Sequence, residues 1–277
     1  MGIANQVSLR FSQSFRFSRA DLRDVLIRIP IAAEHYAKDL ECTSDYPMKI
    51  FNAKGNIFGQ INLSPLPSRI VRWNIDISVK TFEIKNLGLN WGRLDEYQSA
   101  DLQRYCNASQ YWEVSTEPIQ SAARKIRAES SEDIYDLASQ TFSFVRQSIK
   151  SPEPQEKRFG ALRALVGAFG DCDEFSDLFI AILRSLNVPA RRITGVFIKN
   201  YQVEPHAWAE ILLPTSPPRW LTMDPALGFF AHRSPHHFGR KIEGTLSARN
   251  DVQVQWKGKK NARVQIEVEI PQLLERN

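Results

Sequence analysis

Cysteine is scarce in this 277-residue chain: Cys42, Cys106 and Cys172 stand far apart, with no CxxC pair. An odd number at such spacing suggests neither a disulfide framework nor a zinc knuckle. No apolar run approaches the length that spans a bilayer. The N-terminal MGIANQVSLRFSQSF lacks the charged start and continuous apolar stretch of a secretory signal. It opens Met-Gly, but Gln6 occupies the position where a myristoylation signal needs Ser or Thr. A basic stripe is missing too: the net charge of +5 is spread thinly, densest around Lys257 to Lys260, so nucleic acid is not an expected partner. Internal repeats and low-complexity tracts are absent. What remains is ordinary globular composition, 43% hydrophobic and 24% charged, enough to build one large or two modest cores. The expectation is a soluble, reduced, cytoplasmic protein with no membrane partner; the sequence leaves its oligomeric state open.

The first part of the chain reads as strand. QVSLRFSQSFRFS alternates Val7, Leu9 and Phe11, then resumes at Phe15 and Phe17, which suggests a half-buried strand with a bulge. VLIRIPIA is another short run. NAKGNIFGQINLS supplies a turn followed by Ile57, Phe58 and Ile61. RIVRWNIDISVKTFEI has the clearest period of two, through Val71, Trp73, Ile75, Ile77 and Val79. Short strands punctuated by turn residues predict a β-sandwich or barrel-like domain over residues 1–115.

Near Pro118 the period lengthens. Ile119, Ala122, Ala123 and Ile126 recur at helical spacing. Ile134, Leu137, Ala138, Phe142, Val145 and Ile149 form a second stripe, with Ser130 and Asp133 read as its capping box. SPEPQEK breaks that helix, and FGALRALVGAFG predicts a short one closed by Gly167 or Gly170. A third apolar stripe, from Phe175 to Leu186, begins at Cys172 and stops at Asn187 and Pro189. ARRITGVFIK, HAWAEILLP and RWLTMDP then read as strands, and VQVQWKGKKNARVQIEVEI as a hairpin. Residues 116–277 are expected to form a second, α+β domain.

Cys172 directly follows Gly-Asp at the mouth of its helix. There the positive end of the helix dipole and unpaired backbone N–H groups favour a thiolate. The same N–H groups suit the oxyanion that forms when sulfur attacks a carbonyl. A thiolate nucleophile also needs a base and a group that orients the base. His206 opens one strand-like run and Asp224 ends the next. Two adjacent strands carrying them at matching ends would set imidazole against carboxylate, a Cys-His-Asp arrangement.

These residues lie in three ordered motifs: Gly-Asp-Cys followed by Pro-Ala-Arg, then His-Ala-Trp-Ala-Glu, then Trp-Leu-Thr-Met-Asp-Pro. Together they resemble the transglutaminase-like superfamily over roughly Ile119 to Phe230. The resemblance implies a papain-like α+β core, with the nucleophile helix against an antiparallel sheet behind a β-rich N-terminal domain. It implies Cys172 as nucleophile, His206 as base and Asp224 as third member, acting on a peptide, amide or acyl-thioester substrate. The acceptor is water in a peptidase or amidase and an amine in an acyltransferase. Hydrolysis is the preferred expectation. A non-catalytic binding module is the rival reading, and retention of all three residue types argues against it. The paired CxxC motifs of many peptide N-glycanases and the acidic clusters of calcium-regulated members are both missing.

Neighbouring residues receive plainer roles. Arg191 and Glu210 read as ion-pairing residues, Trp208 and Trp220 as core, and Asp171 and Asp173 as helix-start acids. Gln155, in the Pro-rich loop, is a candidate second oxyanion donor. His232, His236 and His237 lack cysteine or carboxylate ligands at suitable spacing. No metal or cofactor is therefore expected, and none of these three is expected to affect the chemical step.

Overall fold

The computed structural model describes residues 4–86, 88–97, 104–155, 157–243, 252–258 and 261–274. The N-terminal half begins with β1 (Ala4–Phe17), β2 (Arg23–Ala33), β3 (Lys38–Ser44), β4 (Lys49–Ala53), β5 (Asn56–Leu63), β6 (Ile70–Phe82) and the short β7 (Ile84–Lys85). Helices α1 (Glu117–Glu129) and α2 (Ile134–Ser148) follow, then β8 (Ser151–Pro152), α3 (Ala161–Gly167), β9 (Phe169–Gly170) and α4 (Cys172–Ser185). The chain continues through β10 (Ala190–Lys199), β11 (Gln202–Leu213), β12 (Arg219–Met223), β13 (His232–Arg233) and β14 (His237–Glu243). It ends with β15 (Gln253–Lys257), β16 (Val264–Val268) and β17 (Gln272–Leu273). The mixed α+β class is as expected.

Two sheets face each other across one apolar core. One has the order β16-β1-β6-β3, with β17 also on β1; the other runs β15-β2-β5-β4. Leu9, Phe11, Phe15 and Phe17 of β1 meet Ile27, Ile29 and Ile31 of β2 there, with Trp73, Ile75 and Ile77 of β6. The bulge expected in β1 is absent. Its register with β6 runs unbroken from Ala4 opposite Phe82 to Arg16 opposite Ile70. Gln13 fills the inward position between Phe11 and Phe15, buried despite its amide, so the alternation never slipped. A register shift occurs instead in β2, between Pro30 and Ala32 against β5, because proline cannot donate to the ladder.

The C-terminal hairpin is also corrected. β15 pairs with β2 and β16 with β1, in different sheets. Residues 116–277 are thus not one unit: their last strands complete the sandwich begun at the N-terminus. The inward residues of these strands alternate as those of a hairpin would, so the pattern carries no record of the partner.

The second core surrounds α4, which is buried over nearly its whole circumference. Helices α1, α2 and α3 pack on it, and the antiparallel sheet β12-β11-β10-β14 covers another side. Leu178, Phe179 and Ile182 meet Ala209, Ile211 and Met223. The opposite face of this sheet turns to the sandwich through Ile193 and Trp208, which pack on Ala33 and Tyr36. Ser130 does not cap α2: it closes α1, and Asp133 is the N-cap, accepting the Tyr135 N–H at 2.7 Å. At the end of α3 the left-handed residue is Ala168, φ 57°, rather than a glycine.

Candidate active site

The start of α4 is built by its own acids. Asp171 is the N-cap and accepts the Asp173 N–H at 2.9 Å, while Glu174 reaches back to the Asp171 N–H at 3.1 Å. This is a capping box, with the Asp171 carboxylate also taking the Glu174 N–H. Gly170 makes the approach possible: at φ 153°, a Cβ there would lie 2.4 Å from Glu174 Cβ. The glycine before Asp-Cys is thus a packing requirement. The cap also uses the second and third amides of the helix, leaving the Cys172 N–H as the first-turn amide outside it. Burial pushes the Glu174 carboxyl up to about 7, against the N–H groups of Phe159 and Asp171 that favour its charge.

His206 and Asp224 meet through strand register. β11 and β12 run antiparallel with Ala209 opposite Met223, so Asp224, one residue past β12, becomes the diagonal neighbour of His206. Nε2 of His206 lies 2.8 Å from Asp224 Oδ2. The thiol of Cys172 lies near the same ring. Burial would lower the His206 pKa. The hydrogen bonds to Asp224 and Cys172, with the charges on both, outweigh it and lift the group to about 10. Asp224 is fully buried, which would raise its pKa, yet hydrogen bonds from two histidines hold it well below the usual carboxylate range.

The second of those histidines is His237, whose Nε2 lies 3.0 Å from the same Oδ2. This corrects the reading of the HRSPHH segment as uninvolved: one of its three histidines touches the candidate third member. No local spacing announced the contact. It depends on β14 pairing with β10, where Gly195 admits close approach; a Cβ there would fall 2.1 Å from the Phe238 carbonyl oxygen. His206, Asp224 and His237 also gather three groups of metal-ligand type. Both nitrogens lie at hydrogen-bond distance from one carboxylate oxygen, an arrangement of donors around an acceptor.

Cys172 is half-buried and opens onto a cleft of about 550 Å³. Tyr111, Gln155, Arg158, Arg192, Thr194 and His206 are among its lining residues. Arg192 donates to Glu243 and Thr194 at 2.9 Å each and also to Asp173. Arg158 forks onto Asp177 at 2.7 and 2.5 Å and reaches Glu243 at 2.9 Å. These charges therefore arrive at the cleft already paired. Gln155 borders it as well, but its side-chain amide donates to the Glu153 carbonyl at 2.9 Å and its main-chain N–H to Asp171. One N–H of its amide is thus engaged within its own loop, while the residue still borders the cleft.

A larger cavity of about 820 Å³ lies elsewhere, beside Trp91, Tyr135 and Phe230. It has no cysteine in its lining and no part in the geometry above. Arg191 and Glu210 do form an ion pair, at 2.6 Å. Trp208 is fully buried, and Trp220 lies under the Arg191 guanidinium, 3.8 Å from ring centre to carbon.

Residues 120–225 match the model of the transglutaminase-like superfamily. The crystal structure of a Cytophaga hutchinsonii protein, provisionally named a cysteine protease, aligns with a TM-score of 0.62 at 13% identity. The match covers 100% of this chain and 94% of that one, and the likeness is one of fold. The periplasmic domain of TgpA from Pseudomonas aeruginosa aligns with a TM-score of 0.40 at 13% identity, covering 78% of this chain and 87% of that one. No curated protein matches the chain significantly.

Proposed function

We propose, on the premise that residues 120–225 belong to the transglutaminase-like superfamily, that this chain is a thiol acyl-transfer enzyme. The observation that carries the reading is the His206–Asp224 hydrogen bond of 2.8 Å beside a thiol that opens onto a cleft. Cys172 attacks the carbonyl carbon of a peptide, amide or acyl thioester, with His206 accepting its proton. The Cys172 N–H, outside the cap, faces the developing oxyanion. His206 returns the proton to the leaving amine or thiol as the tetrahedral intermediate collapses to a thioester. Asp224 orients the imidazole and stabilises its positive charge.

Water is the acceptor we favour, because the cleft is open to solvent and water needs no dedicated site. It attacks the thioester carbonyl as His206 takes its proton, releasing the acid and the thiol. Transfer to an amine shares every step up to that point.

The test uses p-nitrophenyl acetate, acid quenching and intact mass. Wild type is expected to carry a single acetyl adduct and Cys172→Ala none, the variant keeping its fold because the side chain contributes little packing. The adduct should decay at a rate independent of added putrescine. Saturable acceleration by the amine would replace water as acceptor and leave the thiol mechanism intact. A wild-type protein that never acylates would sink the enzyme reading in favour of a binding module.

A further inference from the structure

We infer that His237 is a positioning residue for this reaction, donating a hydrogen bond that holds Asp224 in place and limits its pull on the His206 proton. The inference rests on the thiol-enzyme reading above and adds a fourth member to its machinery.

The geometry fixes which nitrogen of His237 carries hydrogen. The main-chain N–H of Ser234 donates to His237 Nδ1 at 3.2 Å, so Nδ1 is an acceptor without a proton. The proton of the neutral ring therefore resides on Nε2, which faces Asp224 Oδ2 at 3.0 Å. Burial lowers the pKa of this imidazole despite the carboxylate beside it, which agrees with a neutral ring. The ring cannot readily turn away. Its side chain is fully buried, and the rings of Trp208, Phe197 and Phe229 stand around it with centroids 4.8, 5.0 and 5.4 Å away.

Asp224 is thereby held from three directions. Oδ1 accepts the Leu227 N–H at 3.0 Å, and Oδ2 is shared between the two histidines. A carboxylate oxygen that already accepts one strong hydrogen bond is a weaker acceptor for the next. His237 thus moderates the basicity that Asp224 confers on His206, and a base that must release its proton to the leaving group benefits from such moderation. The titratable groups packed directly against His237 are Asp224 and His206. His236 lies beyond Phe197 and His232 beyond Phe229.

A buried histidine that merely fills space would leave the titration of its neighbour alone. The experiment is therefore an NMR pH titration of His206 in ¹⁵N-histidine protein, comparing wild type, His237→Phe and His237→Gln. Phenylalanine keeps ring volume without a donor; glutamine retains an N–H. We expect His237→Phe to raise the His206 midpoint by about half a pH unit or more, and His237→Gln to return it close to wild type. A folded His237→Phe protein with an unmoved or lowered midpoint overturns the inference, as does a glutamine variant displaced as far as the phenylalanine one. Should near-UV circular dichroism find His237→Phe unfolded, His237→Leu carries the same comparison. Iodoacetamide labelling of Cys172 separates the two levels. If His206→Ala leaves the labelling rate unchanged, the thiol–imidazole partnership itself fails. If His206→Ala slows labelling while the His206 midpoint ignores His237, only the role of His237 falls.

Discussion

Arg191 and Arg192 are consecutive on β10 and point to opposite faces of its sheet, as alternate strand residues must. Arg191 turns toward the sandwich. It forks onto Glu210 Oε2 at 2.8 and 2.6 Å, and His35 and Tyr36 close on the other oxygen of Glu210 at 2.8 and 3.1 Å. Trp208 donates to the Tyr36 hydroxyl at 2.8 Å. This network ties the short turn after β2 to the sheet. Arg192 turns the other way, to Asp173 on α4 and Glu243 on β14, and borders the cleft with Cys172. Both guanidiniums are buried and neutralised. One joins the two halves of the molecule, and the other sets the charge around Cys172. Neither job is visible in the residue type; each follows from the face.

The comparison is tested hardest by Arg192→Met. Removing this cation leaves Glu243 with Arg158 and Lys241 and takes the ion partner from the part-exposed Asp173, a loss of about 3 kcal/mol, at the low end for breaking a buried pair. We expect urea unfolding to register that loss, and iodoacetamide labelling of Cys172 to change rate, since the cleft charge changes with it. Cys42 and Cys106 serve as internal controls, because burial pushes each thiol up to about 11 and both should label slowly.

Arg191→Met should cost less, about 2 kcal/mol, because His35 and Tyr36 continue to donate to Glu210. Its signature is destabilisation with the Cys172 labelling rate at the wild-type value. An Arg191 variant that alters labelling, or that loses more stability than Arg192→Met, would erase the division between the two faces.

A further effect concerns pH. His206 and Glu174 are both raised in the folded protein, to about 10 and about 7. A raised group contributes stability in full below its unfolded pKa and loses it as pH rises through the folded one. The contribution of Glu174 should therefore fade between 4.5 and about 7, and that of His206 between 6.5 and about 10. Asp224, Glu210 and Glu243, all depressed, contribute above the ordinary carboxylate range and lose it only in acid. Melting temperature should decline across the alkaline window, and His206→Gln should flatten that decline. An equal decline in the variant would assign it to other groups.

Much of the cleft was legible because its members sit in short motifs governed by local rules. Gly-Asp-Cys opens a helix through capping chemistry that spans four residues, while His206 lies within β11 and Asp224 just past β12, two consecutive strands joined by a short loop. Antiparallel neighbours close in sequence have few alternative registers, so bringing those two side chains together required little beyond the strand pattern. The period-two runs of β1 and β6 identified sandwich strands for the same reason. Gln155 was less accessible, because a Pro-rich loop carries no periodicity from which to orient a side chain.

By itself, then, the sequence determined the elements, the helix that opens at Cys172 and its cap, and the His–Asp pair, all through interactions between residues near one another in the chain. Only the tertiary structure decided that β15 and β16 part to join different sheets, that Arg191 and Arg192 serve different networks, and that His237 reaches Asp224. Those outcomes depend on which sheet edge a strand finds and which face meets which core. Strand alternation is the same whatever the partner, so long-range pairing leaves no mark in the local pattern and is settled by packing alone.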